Sequence, residues 1–247
     1  NAAADAISGA LMGALKTVGS KLANITQEAT ALYGQYQQLV GGVQTLFGDD
    51  FQTVVENADN AFKNMGISAN DYMETATSFA ASLVSSLEGD TKQAAEITDI
   101  ALQDMADNAN KMGTAMQSIQ YAYQGFAKQN YTMLDNLKLG YGGTKKEMER
   151  LIEDANKWRE EQGRAGDLTI SKFSDVAIAI HEIQDKLKIT GTTAAEAAGT
   201  IEGSANAVKA AWENLLTAMA DPNGEHDLDQ MIQNFVETAT TSIDNMM

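Results

Sequence analysis

Residues 102–137 read LQDMADNANKMGTAMQSIQYAYQGFAKQNYTMLDNL, and this stretch decides the fold class. Apolar side chains recur in it at alternating spacings of three and four residues, which is the pattern of α-helices with one apolar face. Ten of the eleven positions on this stripe are apolar, and the exception is Asn130. The stripe comprises Leu102, Met105, Ala109, Met112, Met116, Ile119, Tyr123, Phe126, Asn130, Met133 and Leu137. The pattern predicts helix that packs against another helix.

The stripe has two interpretations, and the residues leave both open. Sustained spacings of three and four are typical of a coiled coil, in which a buried Asn130 would set the register. A helix in an ordinary bundle has the same spacing, and few charged residues flank the stripe to specify a partner. The spacing also leaves open whether residues 102–137 form one continuous helix.

The first 46 residues carry a similar stripe. Its spacings alternate between four and three, with one additional four between Val18 and Leu22, as in a coiled coil with a stutter. Gly41 and Gly42 predict a bend or an end of this helix, because adjacent glycines lower helix stability. The stripe comprises Ile7, Leu11, Ala14, Val18, Leu22, Ile25, Ala29, Leu32, Tyr36, Leu39, Val43 and Leu46.

Capping residues mark the expected helix starts. A capping side chain precedes Gln or Glu by three residues at five places, and Ser68 precedes Asp71 in the same way. The five predicted caps are Asp49, Asp90, Thr144, Thr193 and Asp227.

These patterns predict an all-α fold, since no segment alternates with period two over six residues. We expect long amphipathic, coiled-coil-like helices, followed by a bundle of shorter helices, and no significant β-sheet. Residues 1–137 carry 6 basic and 15 acidic groups, residues 138–164 carry 7 and 6, and residues 165–247 carry 4 and 13. The change of charge predicts a long-helix, self-associating region 1–137 and a helical bundle 138–247 that begins at a Gly-flanked turn.

Composition excludes several classes of function. The chain of 247 residues has 34 acidic and 17 basic residues, a net charge of -17, and its field repels nucleic-acid phosphates. We therefore expect no sequence-specific nucleic-acid binding. The chain has no cysteine, which excludes disulfides, thiolate metal sites and a cysteine nucleophile. Two histidines are too few for a multi-histidine metal centre.

Three segments resemble chemical motifs only in part. Residues 140–146 form a Gly-rich turn with Lys145 and Lys146 at a helix start, where backbone N–H groups can bind an anion, but the Walker spacing is absent. His181 lacks the second histidine of a zincin, since Asp185 stands four residues later. The acidic turn around His226 lacks the spacing of an EF-hand; its candidate ligands are Asn223, Glu225, Asp227 and Asp229.

We expect no catalytic, cofactor or metal site, and no enzymatic activity. The chain has no G-x-S-x-G nucleophile motif. Accidental pairs of carboxylates are inevitable among 34 acidic residues, so such a pair carries little information. A hydrolytic activity that depended on Glu147, Glu149 or His181 would contradict this expectation.

Two longer runs carry a resemblance to a known family. Residues 127–155 read AKQNYTMLDNLKLGYGGTKKEMERLIEDA, and residues 189–216 read ITGTTAAEAAGTIEGSANAVKAAWENLL. In this order they resemble the core region of phage tail tape measure proteins. The resemblance extends over residues 50–247, and more loosely over the first fifty.

The resemblance implies a structural protein of the virion that is made in the bacterial cytoplasm. Such a protein lies in the lumen of the tail tube, sets the tail length and leaves with the DNA. The implied partners are a few copies of itself, with a trimer favoured, the major tail-tube protein, tail assembly chaperones and distal tail or baseplate proteins. No catalytic residue comes with the resemblance.

Two further expectations follow from it. Members of the family are much longer, so we expect this chain to be a piece of a longer protein, from a phage, a prophage or a phage-derived particle. The alternative function is a helical binding or membrane-interacting module of a phage tail that aids DNA entry, with host-membrane contact by the parent protein.

Overall fold

The computed structural model describes residues 2–197, 200–224 and 226–246, with side chains at all of these positions except 2–23, 197, 201–202 and 245–246. Within these ranges the chain is all-helical, with 77% helix, no strand and no sheet, and the helices pack in a bundle. This confirms the predicted all-α fold. Coiled-coil character stays a prediction.

Ten α-helices and two short 3-10 helices follow one another over these ranges. The α-helices are α1 Ala2–Phe47, α2 Phe51–Asn64, α3 Ala69–Ser86, α4 Thr91–Met112, α5 Met116–Phe126, α6 Lys145–Glu161, α7 Phe173–Lys186, α8 Thr192–Ala197, α9 Ile201–Met219 and α10 Leu228–Met246. The 3-10 helices are Gly48–Asp50 and Leu134–Leu137.

The long helix α1 packs one face against α3 and α9. On this face Ala29, Tyr36 and Val43 are buried, as the stripe predicted. The stripe positions from Ile7 to Leu22 lie outside the described side chains. The helix does not end at Gly41 and Gly42 but continues to Phe47. At Gly42 the helix comes close to α3: a Cβ atom there would lie 3.7 Å from the Thr77 side chain.

Residues 102–137 do not form one continuous helix. Helix α4 ends at Gly113, which has a φ of 61°, a left-handed conformation that glycine adopts without strain. After α5 the chain turns again before the second 3-10 helix. The predicted role of Asn130 in helix register is wrong: the residue is exposed in this turn, and its Oδ1 accepts hydrogen bonds from the N–H and hydroxyl of Thr132.

Four of the six predicted caps are confirmed. Ser68, Asp90 and Thr144 accept a hydrogen bond from the backbone N–H three residues later, and Asp227 does the same for Gln230. Two are wrong. Asp49 lies inside the first 3-10 helix, and Thr193 lies inside α8.

The main hydrophobic core contains side chains from α1 through α7, and it extends from Tyr36 to Ile189. Helices α9 and α10 instead pack through two small clusters. One contains Phe62, Ala210 and Ala211, and the other contains Leu215, Ala218 and Met231. The division at residue 138 stays a prediction; the main core contains side chains from both sides of it.

Candidate functional site

A group of three buried polar side chains lies on one face of α4. Asp104, Asp107 and Asn108 are each fully buried. Their spacing of three and four residues places them on neighbouring turns of the same helix face. A buried carboxylate is stable only with hydrogen-bonding or charged partners, so the partners of these residues define the cluster.

Asp104 pairs with His181 on α7. The histidine Nδ1 lies 3.0 Å from Asp104 Oδ1 and 3.2 Å from Oδ2. Burial raises the pKa of Asp104 to about 6, although the hydrogen bond and charge of His181 lower it in part. The hydrogen bond to Asp104 raises the pKa of His181, against the opposing effect of burial. The pair therefore fixes α7 against α4, since the two helices supply one partner each.

The next residue on α7, Glu182, is only 2% exposed and binds two arginines. Arg159 donates to Oε1 at 3.1 Å, and Arg164 donates to both carboxylate oxygens. Arg159 also donates to the backbone carbonyl of Ala165 at 2.6 Å. The carboxylate thus holds the end of α6 and the following loop on α7. Charge-assisted and bidentate bonds of this kind are the stronger ones in proteins.

Asp107 and Asn108 bind backbone groups of two distant segments, residues 189–216 and residues 127–155. Asp107 accepts hydrogen bonds from the N–H groups of Gly191 at 2.7 Å and Thr193 at 2.8 Å. Asn108 donates to the carbonyl oxygen of Leu137 at 2.8 Å. Two adjacent residues of α4 therefore hold one turn from each run.

The second histidine, His226, lies in the loop between α9 and α10. Its Nδ1 lies 2.9 Å from Asp221 Oδ2, and its ring lies edge-on against Tyr36 with 4.6 Å between centroids. Its Nε2 is buried without a hydrogen-bond partner. Asp59, Tyr36 and His226 line one small cavity. Burial raises the pKa of Asp59 to about 6, and the charge of His226 lowers it in part.

The acidic turn around His226 uses its polar groups internally. Asp221 accepts a hydrogen bond from the N–H of Asn223 at 2.9 Å, and Asp227 caps α10. Glu225 lies outside the described residues. Among the described residues, no three His, Asp or Glu side chains come together as metal ligands. That no metal is bound stays a prediction.

The Gly-rich turn at 140–146 is closed by the chain's own carboxylate. Glu147 Oε2 accepts from the N–H of Gly142 at 3.1 Å and binds Arg150 at 2.6 Å. Arg150 also donates to the carbonyl of Gly140 at 2.8 Å. At Gly143 a Cβ would lie 2.2 Å from the carbonyl oxygen of Thr132, so this close approach requires glycine. The position that an anion would take near these groups is occupied by Glu147.

Sequence reasoning missed the cluster on α4. It identified His181 without its partner Asp104, and it identified Thr193 as a helix cap without its partner Asp107. A signal was present, because three polar residues at spacings of three and four interrupt an otherwise apolar helix face. The sequence does not show which helix supplies the partners.

The chain matches no protein-family profile, no curated protein and no solved structure. None of the helices in the described part of the chain combines the length and apolarity of a membrane span.

Proposed function

We propose that this chain is a structural module of a phage tail tape measure protein. The observation that carries the proposal is the resemblance of residues 127–155 and 189–216 to the core region of that family. In this proposal the parent protein lies in the lumen of the tail tube, sets the tail length and scaffolds the assembly of the tube protein. Its partners are further copies of itself, tail chaperones and distal tail proteins.

The positions of the two runs support a structural role for the residues that carry the resemblance. Leu137 in the first run and Gly191 and Thr193 in the second are bound through their backbones to Asn108 and Asp107. The N–H groups of Gly191 and Thr193 and the carbonyl group of Leu137 are thereby paired with side chains of α4, as backbone groups in folded proteins are. The runs thus specify turns and helix starts around α4.

The buried charged groups support the same role. Asp104 binds His181, Glu182 binds two arginines, and Asp221 binds His226. The first two join separate helices and loops, and the third closes the loop between α9 and α10. Partnered buried charges of this kind favour one arrangement of a core. The proposal assigns these residues to folding and assigns none of them to a reaction.

The net charge of -17 fits a protein that shares a narrow tube with DNA. An acidic tape is repelled by DNA phosphates and would leave the tube without binding them. Tails assembled with charge-neutralised variants should therefore release DNA more slowly, and normal release would contradict this part of the proposal.

The location of the chain can be tested in purified tails. Quantitative mass spectrometry should find a small, fixed number of copies per intact tail and a large loss after DNA release. In intact tails the chain should resist added protease, because a lumenal protein is enclosed by the tube. Cleavage of the chain in intact tails, under conditions that leave the tube protein intact, would place it on the outside and contradict the proposal.

A further inference from the structure

Three residues that line the small cavity around His226 have polar side-chain atoms without hydrogen-bond partners. The Nε2 of His226 and the Nδ2 of Asn214 are buried and have none. No described group donates a hydrogen bond to the half-buried carboxyl of Asp59. The cavity lies where α1, α2, α3, α9 and α10 meet. Because polar groups without partners are costly in a folded interior, protonation at this cavity bears on how firmly these helices hold together.

The ring of His226 is fixed through its other nitrogen. Burial alone would raise the pKa of Asp221, but hydrogen bonds from the ring and N–H of His226 and from the N–H of Asn223 hold this pKa well below its usual range. The carboxylate is therefore ionised, and Nδ1 of His226 carries the proton that it donates to Asp221 over 2.9 Å. The unpartnered Nε2 is thus the atom at which His226 gains or loses a proton.

Other titratable groups face the imidazole from α1 and α2. Helix α1 contributes Tyr33, which hydrogen-bonds to Asp221, and Tyr36, whose ring centroid lies 4.6 Å from that of the imidazole. Helix α2 contributes Asp59, on which the imidazole and Glu56 both act through their charges. The remaining lining residues of the cavity carry no ionisable group, and they are Ala69, Asn214, Thr217 and Met231. Among the described residues that line the cavity, Asp59 is the one carboxyl.

Asp59 and His226 are compatible with a closed cavity as long as the pair keeps one proton. A protonated Asp59 is uncharged, and an ionised Asp59 is attracted by a protonated His226. When the last proton leaves, a half-buried carboxylate remains without a partner, which burial disfavours. Burial raises the pKa of Asp59 from 3.8 to about 6, although the charge of His226 lowers it in part. A hydrated, opened form is therefore increasingly favoured as the pH rises through about 6.

Helix α10 is the element that can open without disrupting the main core. It packs mainly on α9, whereas α9 packs on α1 and α2. Met231, in the first turn of α10, lines the cavity. Ile232 and Val236 are 43% and 53% exposed, so much of the apolar surface of α10 is not buried. Elements with few buried apolar contacts open at a lower free energy than the whole fold does.

We propose that Asp59 and His226 form a pH-sensitive switch at the junction of α2 with the hairpin of α9 and α10. The first turn of α10 stays closed over the cavity while the pair retains a proton, and it opens when Asp59 and His226 have both lost theirs. This inference does not depend on the tape measure role.

Native-state hydrogen exchange of the 247-residue chain measures the opening. Protection factors are calculated at each pH against the intrinsic exchange rate at that pH. For the α10 amides of residues 232–240 they should fall by about tenfold from pH 5 to pH 8, which is the change in an opening equilibrium that a pKa shift from 3.8 to about 6 produces. At every pH the α4 amides should be better protected than these by at least about tenfold, because α10 opens while the core stays folded.

Two variants assign the effect to the cavity. Asp59→Asn keeps the shape of the side chain and has no proton to lose, so the fall in α10 protection should shrink to less than about twofold. The matched control is Asp229→Asn, which removes an exposed carboxylate of α10 outside the cavity and should behave like the wild type. Circular dichroism checks that both variants remain folded.

Carbon-13 NMR follows the proton itself in the wild-type chain. The carboxyl signal of Asp59, identified by its absence in Asp59→Asn, should titrate with a midpoint near pH 6. A midpoint at the ordinary value of 3.8 would overturn the inference, and this measurement stands even if the variant fails to fold.

Three results of the exchange experiment would also overturn the switch. The first is α10 protection in the wild type that does not change with pH. The second is a fall in Asp59→Asn as large as that in Asp229→Asn. The third is equal protection of α10 and α4 at every pH, because this would show that α10 opens only when the whole protein unfolds.

Discussion

Asp107 shows how a single residue joins distant parts of this fold. It is fully buried on α4, and its two oxygens accept from the N–H groups of Gly191 and Thr193. A carboxylate in this position satisfies two donors at the start of α8 that would otherwise be left without partners. Because hydrogen bonds to a charged group are among the stronger ones, the residue contributes more to stability than an exposed aspartate does.

Replacing this carboxylate should destabilise the protein. We expect Asp107→Ala to lower the free energy of unfolding by roughly 2–4 kcal/mol, since it removes two hydrogen bonds to a charged acceptor. The matched control is Asp167→Ala, at an exposed position. Urea unfolding measures both variants; equal midpoints for the two would contradict the assigned role of Asp107.

The pKa values of two buried carboxyls and of His181 predict how the stability of the fold depends on pH. Asp59 and Asp104 have pKa values raised to about 6 by burial, and the hydrogen bond to Asp104 raises the pKa of His181. The folded state therefore binds protons more tightly than the unfolded state. These groups contribute stability that is fully present below about pH 4 and is lost as the pH rises through 6 and through the raised pKa of His181.

Asp59→Asn tests this dependence at one residue. Between pH 4.5 and pH 8 the variant should lose less stability than the wild type, by on the order of 1–3 kcal/mol, because it no longer carries a charge that burial disfavours. Asp167→Asn is the exposed control. Urea midpoints across this pH range measure the difference. If the two variants and the wild type lose stability in parallel, the burial of Asp59 does not have the effect assigned to it.

At the scale of elements, helix caps are predicted well because a cap involves residues only three positions apart in the sequence. Ser68, Asp90, Thr144 and Asp227 act within one helical turn, and all four caps were predicted correctly. Asp49 and Thr193 have the same local sequence pattern, but Asp49 lies inside the first 3-10 helix and Thr193 lies inside α8.

The glycines of this chain illustrate why local propensity does not fix helix boundaries. Gly41 and Gly42 lie within α1, whereas Gly113 ends α4 in a left-handed conformation. Packing of α1 against α3 and α9 outweighs the low helix propensity of the two glycines. The sequence spacing alone does not distinguish these cases, so it does not predict the break at residue 113.

These two kinds of glycine should respond in opposite ways to alanine. We expect Gly41→Ala to raise the free energy of unfolding by up to about 1 kcal/mol, because a Cβ there meets no atom within 4 Å and alanine favours helix. Gly113→Ala should lower it by about 1 kcal/mol, because φ is positive. Thermal unfolding measures both changes, and shifts of the same sign would contradict the assignment.

The polar cluster was harder to predict than the helices. Helical periodicity identifies the apolar face of each element, and the burial of Tyr36, Val43, Ile119 and Tyr123 agrees with it. The partners of Asp104 and Asp107 lie 77 to 86 residues away in the sequence. Such pairs depend on how α4, α7 and α8 are arranged in space, and no pattern within one element reports that arrangement.

At the scale of the whole molecule, the chain combines a main core with a helical hairpin of α9 and α10 beside it. The core holds α1 to α7. Helix α9 packs on α1 and α2, where Phe62 forms a small cluster with Ala210 and Ala211, and a second small cluster around Met231 joins α9 to α10. In the proposed role, the packed bundle is the form of the free chain. Its helices would separate into an extended arrangement when the tube assembles around the parent protein.

The most direct test of the central proposal is tail length, measured by electron microscopy after residues 52–86 are deleted in frame from the parent gene. These residues cover most of α2 and all of α3. If the tape is an extended helix, this deletion should shorten the tail by roughly 50 Å, at about 1.5 Å per residue. A duplication of the same residues should lengthen it by the same amount, and this arm still reports length if the deletion prevents assembly. Tails of unchanged length in both variants would contradict the proposed role of this chain as part of the ruler.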